Sequence, residues 1–326
     1  MLNAHNVLQR GAQGSGFGTA NATATAKLQS VSSFALNPDL QTRALDQLRG
    51  TLAPTHQTTL DHYASSATFE VADESFEDVN YWLDSLFTAA TPAGSTGAYT
   101  RAYAAPTTAE VKPTFMTLQW GQSGEVWQMQ DTSVATLTLS GSNNTGVQVG
   151  GSLLGGKVLA GTLASGLTDR AVTRMSGCSA TVAIDAWSGT MGATALADSA
   201  FAWELTINSN RQYRSYLGEC TPSNWNDQKW NGQLRLSVEL NDTTDDQLIA
   251  MFAATNTILE RQVEIKYTSG SLVFQIQFAG HTMQAPQLFQ DKNGVMTYDL
   301  VLDGVYHSTF ANWLKINTTS AIDVLV

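Results

Sequence analysis

Apolar and polar positions alternate along most of this chain, and one alternating segment is written twice. "SGEVWQMQ" (123–130) returns as "SGSLVFQIQ" (269–277), so that Trp127 and Phe274, 147 positions apart, hold the same place. A period of two predicts strands that bury one face, and repetition of a strand together with its neighbours predicts a repeated unit. The neighbours do repeat. Phe34 and Leu36 match Trp203 and Leu205 at an offset of 169, and the same offset carries Ala67, Phe69 and Val71 onto Leu236, Val238 and Leu240. It also carries Asp73 onto Asp242, Val79 onto Leu248 and Leu83 onto Phe252. Further on, Gly146, Val147, Leu154 and Gly156 match Gly294, Val295, Leu302 and Gly304 at 148. The drop from 169 to 147 gives the first copy about 22 extra residues, supplied by the Gly/Pro/Ala/Thr-rich segment 91–108 as a loop insertion.

Each copy predicts the same order of elements. A strand (29–37; 199–210) leads into a polar loop (38–61; 211–230) and a second strand (62–71; 231–240). A short helix comes next. In "ESFEDVNYWLDSLF", Phe76, Val79, Leu83 and Leu86 form one stripe, with Ser75 and Asp78 placed to cap it. In the second copy Thr244 and Gln247 repeat the cap, and Leu248, Met251 and Phe252 the stripe. Two or three more strands finish each copy. The fold class expected is mainly β, or β-rich α+β: two tandem sandwich or partial-barrel units at 29–160 and 161–326, each with one helix over an open end. Residues 175–187 read as an additional strand. Their counterpart is the Gly-rich N-terminal arm, 1–28, expected to be extended or disordered in an isolated subunit.

Composition narrows the function. The 326 residues are 43% apolar but only 14% charged, with a net charge of −11. Gripping duplex DNA requires clustered Lys and Arg, which this balance does not offer. "MLNAHNVLQRGAQGSG" does not read as a signal peptide, and no run of eighteen apolar residues predicts a membrane span. Cys178 and Cys220 are expected to be reduced, partly buried thiols. The sequons at Asn21, Asn143, Asn241 and Asn317 follow from an Asn/Thr-rich composition.

No catalytic constellation emerges. "GSLLGGKV" (151–158) imitates a phosphate loop, but Val158 stands where Ser or Thr would hold Mg²⁺, so a strand end or turn is expected. "GSGFG" has no preceding strand and is not a dinucleotide motif. GxSxG, HExxH and CxxC motifs are missing. His56 and His62 share a loop with Asp61, more simply a solvated polar group than a metal site. Asp245 and Asp246 suit a helix start, while Glu70, Asp185 and Asp299 have no identifiable carboxylate partner for glycoside hydrolysis. Trp127 and Trp203 sit at repeated strand positions and are expected in the core. Trp225 and Trp230, in the second long loop, are expected at the surface, where aromatic residues most often meet another subunit. No cofactor, metal or enzymatic activity is expected.

What remains is a duplicated β unit with long polar loops, an arm and an acidic balance, features that suit self-assembly through strand edges. In the order of its blocks the chain resembles the major tail tube proteins of long non-contractile-tailed bacteriophages. The blocks are the arm with "GSGFGTA", then "SVSSFALNP", "TRALDQLRGT" and "SATFEVADESFEDVNYWLDSLF", and later "DTSVATLTLSG", "RMSGCSATVAID" and "FAWELTINSNRQYRSYLG". The resemblance implies two β-sheets with a flanking helix in each unit, inner sheets joined around a ring, and rings stacked into a virion tail tube assembled in the host cytoplasm. A two-unit chain of that kind would form trimers with pseudo-sixfold symmetry. The insertion 91–108 would decorate the exterior or touch another subunit. Other tail proteins would meet the tube ends, and phage DNA would pass the lumen without specific binding. Loops 38–61 and 211–230 would reach the adjacent ring, making Arg43, Asp46, Arg49, Arg211 and Arg214 candidates for ion pairs between rings or subunits. The alternatives are an inner tube of a contractile or secretion apparatus, a carbohydrate-binding or adhesive module using Trp225 and Trp230, and, weakest, a hydrolase.

Overall fold

The computed structural model describes residues 6–14, 16–18, 23–45, 57–122, 124–196, 199–241, 244, 259–282, 290–292 and 294–325. The chain is mainly β, 59% strand, with one α-helix among the described residues. The first repeat holds β1 (Val7–Gly14), β2 (Ala26–Lys27), β3 (Val31–Leu45), β4 (Gln57–Val71), α1 (Val79–Leu86), β5 (Ala93–Ser95), β6 (Ala98–Ala104), β7 (Phe115–Gln122), β8 (Glu125–Ser142), β9 (Thr145–Gly155) and β10 (Val158–Ala160). The second holds β11 (Ala180–Ala186), β12 (Ala200–Asn208), β13 (Gln212–Arg214), β14 (Asn224–Asn226), β15 (Asn231–Glu239), β16 (Glu260–Ser269), β17 (Leu272–His281), β18 (Gln290–Lys292), β19 (Val295–Gly304) and β20 (Leu314–Ser320). The second helix, expected from Leu248, Met251 and Phe252, lies outside the described residues, as does Gln247.

Strand pairing repeats as the sequence does. Hairpin β7–β8 sets Trp120 opposite Trp127, and hairpin β16–β17 sets Tyr267 opposite Phe274, so both members keep the offset of 147. Each hairpin closes through two residues, with Gly124 and Gly270 at positive φ, where a side chain would be strained. The arm is extended rather than loose over 7–14: β1 pairs with β7 as β11 pairs with β16. The bulge between Val31 and Ser33 recurs between Ala200 and Ala202 at an offset of 169. Register is not identical. Phe34 faces Phe69, while Trp203 faces Leu236 and not Val238, the residue that the offset would supply. The slip is of two residues, an even number, and therefore leaves every side chain on its original face.

Two layers result. In one, each repeat has its own outer sheet, β2–β1–β7–β8–β10 in the first and β11–β16–β17–β20 in the second. The other layer is common to both: β3–β4–β9–β8–β12–β15–β19–β18, antiparallel throughout. Strand β8 serves both layers. Its first half pairs with β7 and β10, its second with β9 and β12, and it turns between them at Asp131, which has a φ of 51°. The arm holds that corner, because the Asp131 carboxylate accepts hydrogen bonds from Gln13 Nε2 (3.1 Å) and the Gly18 amide (2.8 Å).

Apolar faces of the two layers meet in one core. Leu137, Leu139, Leu205, Leu236 and Leu300 come from the common sheet, and Ile265, Phe274 and Ile316 from an outer one. Helix α1 is not a flanking element: all its residues are buried, Asn80 and Asp84 included. Trp82 stacks on Phe69 at 3.9 Å between ring centroids. On the opposite side Asn80 Oδ1 accepts from Thr318 of β20 (2.6 Å), and Asp84 accepts from Tyr103 of β6 (2.8 Å). The helix is thus wedged between the repeats. Its first turn is capped as its sequence suggests, with Ser75 Oγ accepting from the Asp78 amide (3.0 Å), but the Asp78 carboxylate binds Arg170 instead of closing a capping box. In the second repeat the Asn241 side chain accepts from the Thr244 amide (3.2 Å) and Thr244 Oγ1 accepts from the Asn241 amide (3.0 Å), a reciprocal cap three residues earlier.

Three expectations about loops change. The insertion 91–108 contains the hairpin β5–β6, and β6 adds to the exposed edge of β20, with Tyr103 opposite Ile316. Its Arg101 is buried and donates to Ser320 Oγ (3.1 Å) and the Asp323 carbonyl (2.9 Å). Much of 38–61 is not loop, because β3 and β4 run on as an exposed ribbon with Leu40 opposite Tyr63; residues 46–56 lie outside the described set. The loop 211–230 folds back on the first repeat. Residues 161–176, placed by sequence in the second unit, also cross the first, as the Ala164 amide bonds Gln9 Oε1 (2.8 Å) and the Met175 amide the Glu74 carbonyl (3.0 Å).

Candidate functional surface

The common sheet turns its second face to solvent, and alternation decides what that face carries. Inward residues of β8 are Leu137 and Leu139; the outward ones are Thr136, Thr138 and Ser140. Glu70 on β4, Gln148 on β9, Glu204 on β12, Arg235 on β15 and Asp299 on β19 share the outward face, and a depression of about 570 Å³ lies over the last four. Arg235 donates to Asp299 (2.6 Å), which holds its guanidinium above the usual range, and Gln233 donates to Asp303 (2.9 Å). With Arg235 paired, Glu70, Glu204 and Asp303 leave the face acidic, and Ser, Thr and Gly keep it smooth. Such a wall repels phosphate.

Arg211 sits at the junction of the repeats, and its side chain is wholly buried. Nε and Nη2 grip Asp227 (2.7 and 3.0 Å), while Nη1 and Nη2 donate to the carbonyls of Ser85 (3.1 Å), Leu86 (3.0 Å) and Val134 (3.0 Å). A cation with a rigid fork of donors thereby satisfies the carbonyl end of α1. The role expected for Arg211 between subunits gives way to one inside the chain, since burial removes it from any partner. Trp230, expected to be exposed, is buried against Phe87 and donates to Asp227 (3.1 Å). Trp225 is half-buried, with Phe115 at its edge and the Arg211 guanidinium over its ring. Tyr213 reaches from the same loop to Ser133 (2.8 Å) and to the Asp131 and Leu154 carbonyls.

The other candidates stay outside. Arg214 is exposed, and Arg43 is exposed and paired with Asp61 at 3.3 Å. Asp46 and Arg49 lie outside the described residues. Trp127 departs from the core expected for it: 52% of its surface is exposed, whereas its counterpart Phe274 is fully buried and Trp203 is at 5%. Cys178 and Cys220 are free thiols, exposed rather than partly buried.

The remaining candidate residues for chemistry are dispersed. Asp185 caps a turn by accepting from the Gly192 (2.7 Å) and Thr194 (2.8 Å) amides. His62 meets Ser215 (3.2 Å), and His56 lies outside the described set. "GSLLGGKV" is the end of β9 and its turn into β10. Among the described residues no group of three His, Cys, Asp or Glu is placed to hold a metal ion, and no helix is long and apolar enough to cross a membrane.

Sequence reasoning missed a buried ionic cluster under α1. Arg10 and Arg170 both lie over the Tyr81 ring, 4.5 and 4.7 Å from its centroid, and Arg170 also binds Asp78. Burial pushes the carboxyls of Glu77, Asp78 and Asp84 upward and lowers Arg10 to about 10. The Glu74 carboxyl, wholly enclosed, is pushed up to about 8. The acidic pattern of "ESFED" was the available signal; Arg10 and Arg170 come from distant segments and gave none.

No family model and no curated protein matches this chain.

Proposed function

We propose that this protein is a structural subunit of a phage tail tube, of the kind found in long non-contractile tails, and that it assembles as trimeric, pseudo-hexameric rings stacked into a conduit for DNA. The observation that carries this reading is the sheet common to both repeats: β8 pairs with β12 in an unbroken ladder, and the outward face is acidic and lined by small polar residues. A wall of that charge lets DNA pass without holding it. Assembly would take place in the host cytoplasm and the product would reside in the virion, with other tail proteins at the tube ends. The sugar-binding alternative loses its footing because Trp225 and Trp230 face Phe115 and Phe87. Negative-stain electron microscopy of the purified protein tests the proposal. Stacked rings of three chains are expected; rings of six full chains overturn the trimer, and monodisperse monomers at high concentration overturn the tube.

A further inference from the structure

The common sheet has two unlike rims. Its ladders are antiparallel, and β3 and β12 stand four strands apart, so both run in the same direction. Each repeat therefore begins at one rim, at Val31 and Ala200, and sends its long loop out from the other, after Leu45 and Asn208.

At the loop rim, residues 214–223 fold into a firm tip. The Ser223 amide donates to the Arg214 carbonyl (3.0 Å), the Tyr216 amide to Glu219 Oε2 (3.0 Å) and the Glu219 amide to the Tyr216 carbonyl (3.0 Å). Asn224 Nδ2 donates to the Tyr216 hydroxyl (3.0 Å), and Gly218 turns the chain at a φ of 97°. The tip stands beside the β3–β4 ribbon, where the Tyr63 amide donates to the Cys220 carbonyl (2.7 Å). That contact lies beyond Ser65–Gly155, the last rung that β4 shares with β9. The tip presents Leu217, whose side chain is wholly exposed.

The opposite rim carries a socket in each repeat. In the second it is a cavity of about 410 Å³ walled by Val182, Leu196, Phe201, Trp203 and Tyr267, with Gly177 and the β8–β9 turn at its edge. No charged side chain is among the described residues that line it. In the first repeat the cavity is about 480 Å³, and its walls include Ser32, Ser33 and the ion pair of Lys27 with Asp169 (3.2 Å). An apolar cavity of about 150 Å³ already takes up benzene, so the second socket has room for a leucine side chain. Leu217 cannot enter the socket of its own chain. The nine residues of β12 separate the two rims by about 30 Å.

We propose that the tip at Leu217 inserts into the second-repeat socket of another copy of this chain, stacked head to tail on the first. The proposal rests on the tube reading for the stack and adds to it a contact that joins one ring to the next. An apolar tip suits the uncharged socket, whereas entry into the other would strip water from Lys27 and Asp169. Because the tip is already folded, little ordering opposes its docking. A ring of three chains then offers a fitting socket at every second position, which keys successive rings to threefold rather than sixfold registers.

The two cysteines of the chain lie on the two surfaces so joined. Cys220 is exposed in the tip, three residues past Leu217, and Cys178 is exposed next to Gly177 at the socket edge. Within one chain they stand at opposite rims; across the proposed contact they approach each other.

The test uses these native thiols. Assembled protein is treated with a short bismaleimide and run on denaturing gels, with Cys178→Ser and Cys220→Ser as controls. A ladder running past three chains is expected for the parent and lost in both variants, because a column of rings has no closed end. Tubes that give no ladder overturn this contact and leave the tube reading standing. Products that stop at three chains place the thiols together within a ring and also overturn it. A parent that forms no tubes overturns the tube reading and this contact with it. Leu217→Asp supplies a second measurement. Its melting temperature should not move, since Leu217 is unburied in its own chain, yet tubes in electron micrographs should shorten by about tenfold or more, because the socket offers a carboxylate no partner. Leu217→Met should keep the parent's tube length. Tubes of full length from Leu217→Asp overturn the proposal.

Discussion

Leu139 of the first repeat lies directly opposite Leu205 of the second, both fully buried. That pair sits in the ladder that makes two sheets into one, so the repeats share a core and unfold together. Leu205→Ala should cost about 2–5 kcal/mol, the range for a large apolar side chain removed from a closed core. Urea denaturation should show one cooperative transition shifted to lower concentration; separate transitions for the two repeats would contradict a shared core.

Arg211 should matter for stability rather than for contact between chains. Arg211→Ala strands the Asp227 carboxylate and three carbonyls in a dry site, and a loss of about 3–5 kcal/mol is expected. Arg211→Lys should recover little, because an ammonium cannot reproduce the planar fork. Thermal unfolding of both variants checks this.

The buried carboxyl of Glu74 gives stability a pH dependence of definite sign. Burial raises it from the ordinary 4.5 to about 8. Between those values the unfolded chain has released the proton while the folded chain retains it, so stability falls as pH rises through that window. Glu74→Gln removes the proton. Its melting temperature relative to the parent should be little changed near pH 4.5 and higher by about 5 °C or more near pH 8. Melting curves at both pH values decide the matter.

Deleting the β5–β6 hairpin should provoke aggregation. Strand β20 alternates the buried residues Leu314, Ile316 and Thr318 with solvent-facing ones, and without β6 its edge is bare. A variant with residues 93–104 replaced by a short Gly/Ser link should give amorphous aggregates in electron micrographs on concentration, where the parent gives none.

The acidic face permits a reversal. Glu70→Lys with Glu204→Lys and Asp303→Lys alters outward residues and should shift stability by no more than about 0.5 kcal/mol per site. It should nevertheless retain DNA at low salt more strongly than the parent does, with retention lost as salt rises. Filter binding across a salt series reads the change.

Much of this architecture was legible in the chain because a core records itself as spacing. Phe34, Phe69, Trp203 and Phe274 lie where alternation places strands, and Phe76, Val79, Leu83 and Leu86 are all buried in or beside α1. The contacts that misled are those decided by a third element. Trp127 has the pattern of a core residue yet stands exposed where Phe274 is enclosed, and among the described residues β3 has no neighbour in the place that β8 takes beside β12. Arg211 and Trp230 look like surface loop residues until the loop folds onto the end of α1. In 91–108, Gly and Pro suggested a loop, yet β6 gains its structure from β20, more than two hundred residues later, which no local pattern can announce.

The insertion also gives the molecule polarity. By sealing β20 with its own β6, the chain closes one border during folding, while among the described residues β3 pairs on one side only. In an assembly of the proposed kind, that inequality would leave arriving molecules one productive orientation and give growth a single sense, without the dead ends that two equally inviting sides would create.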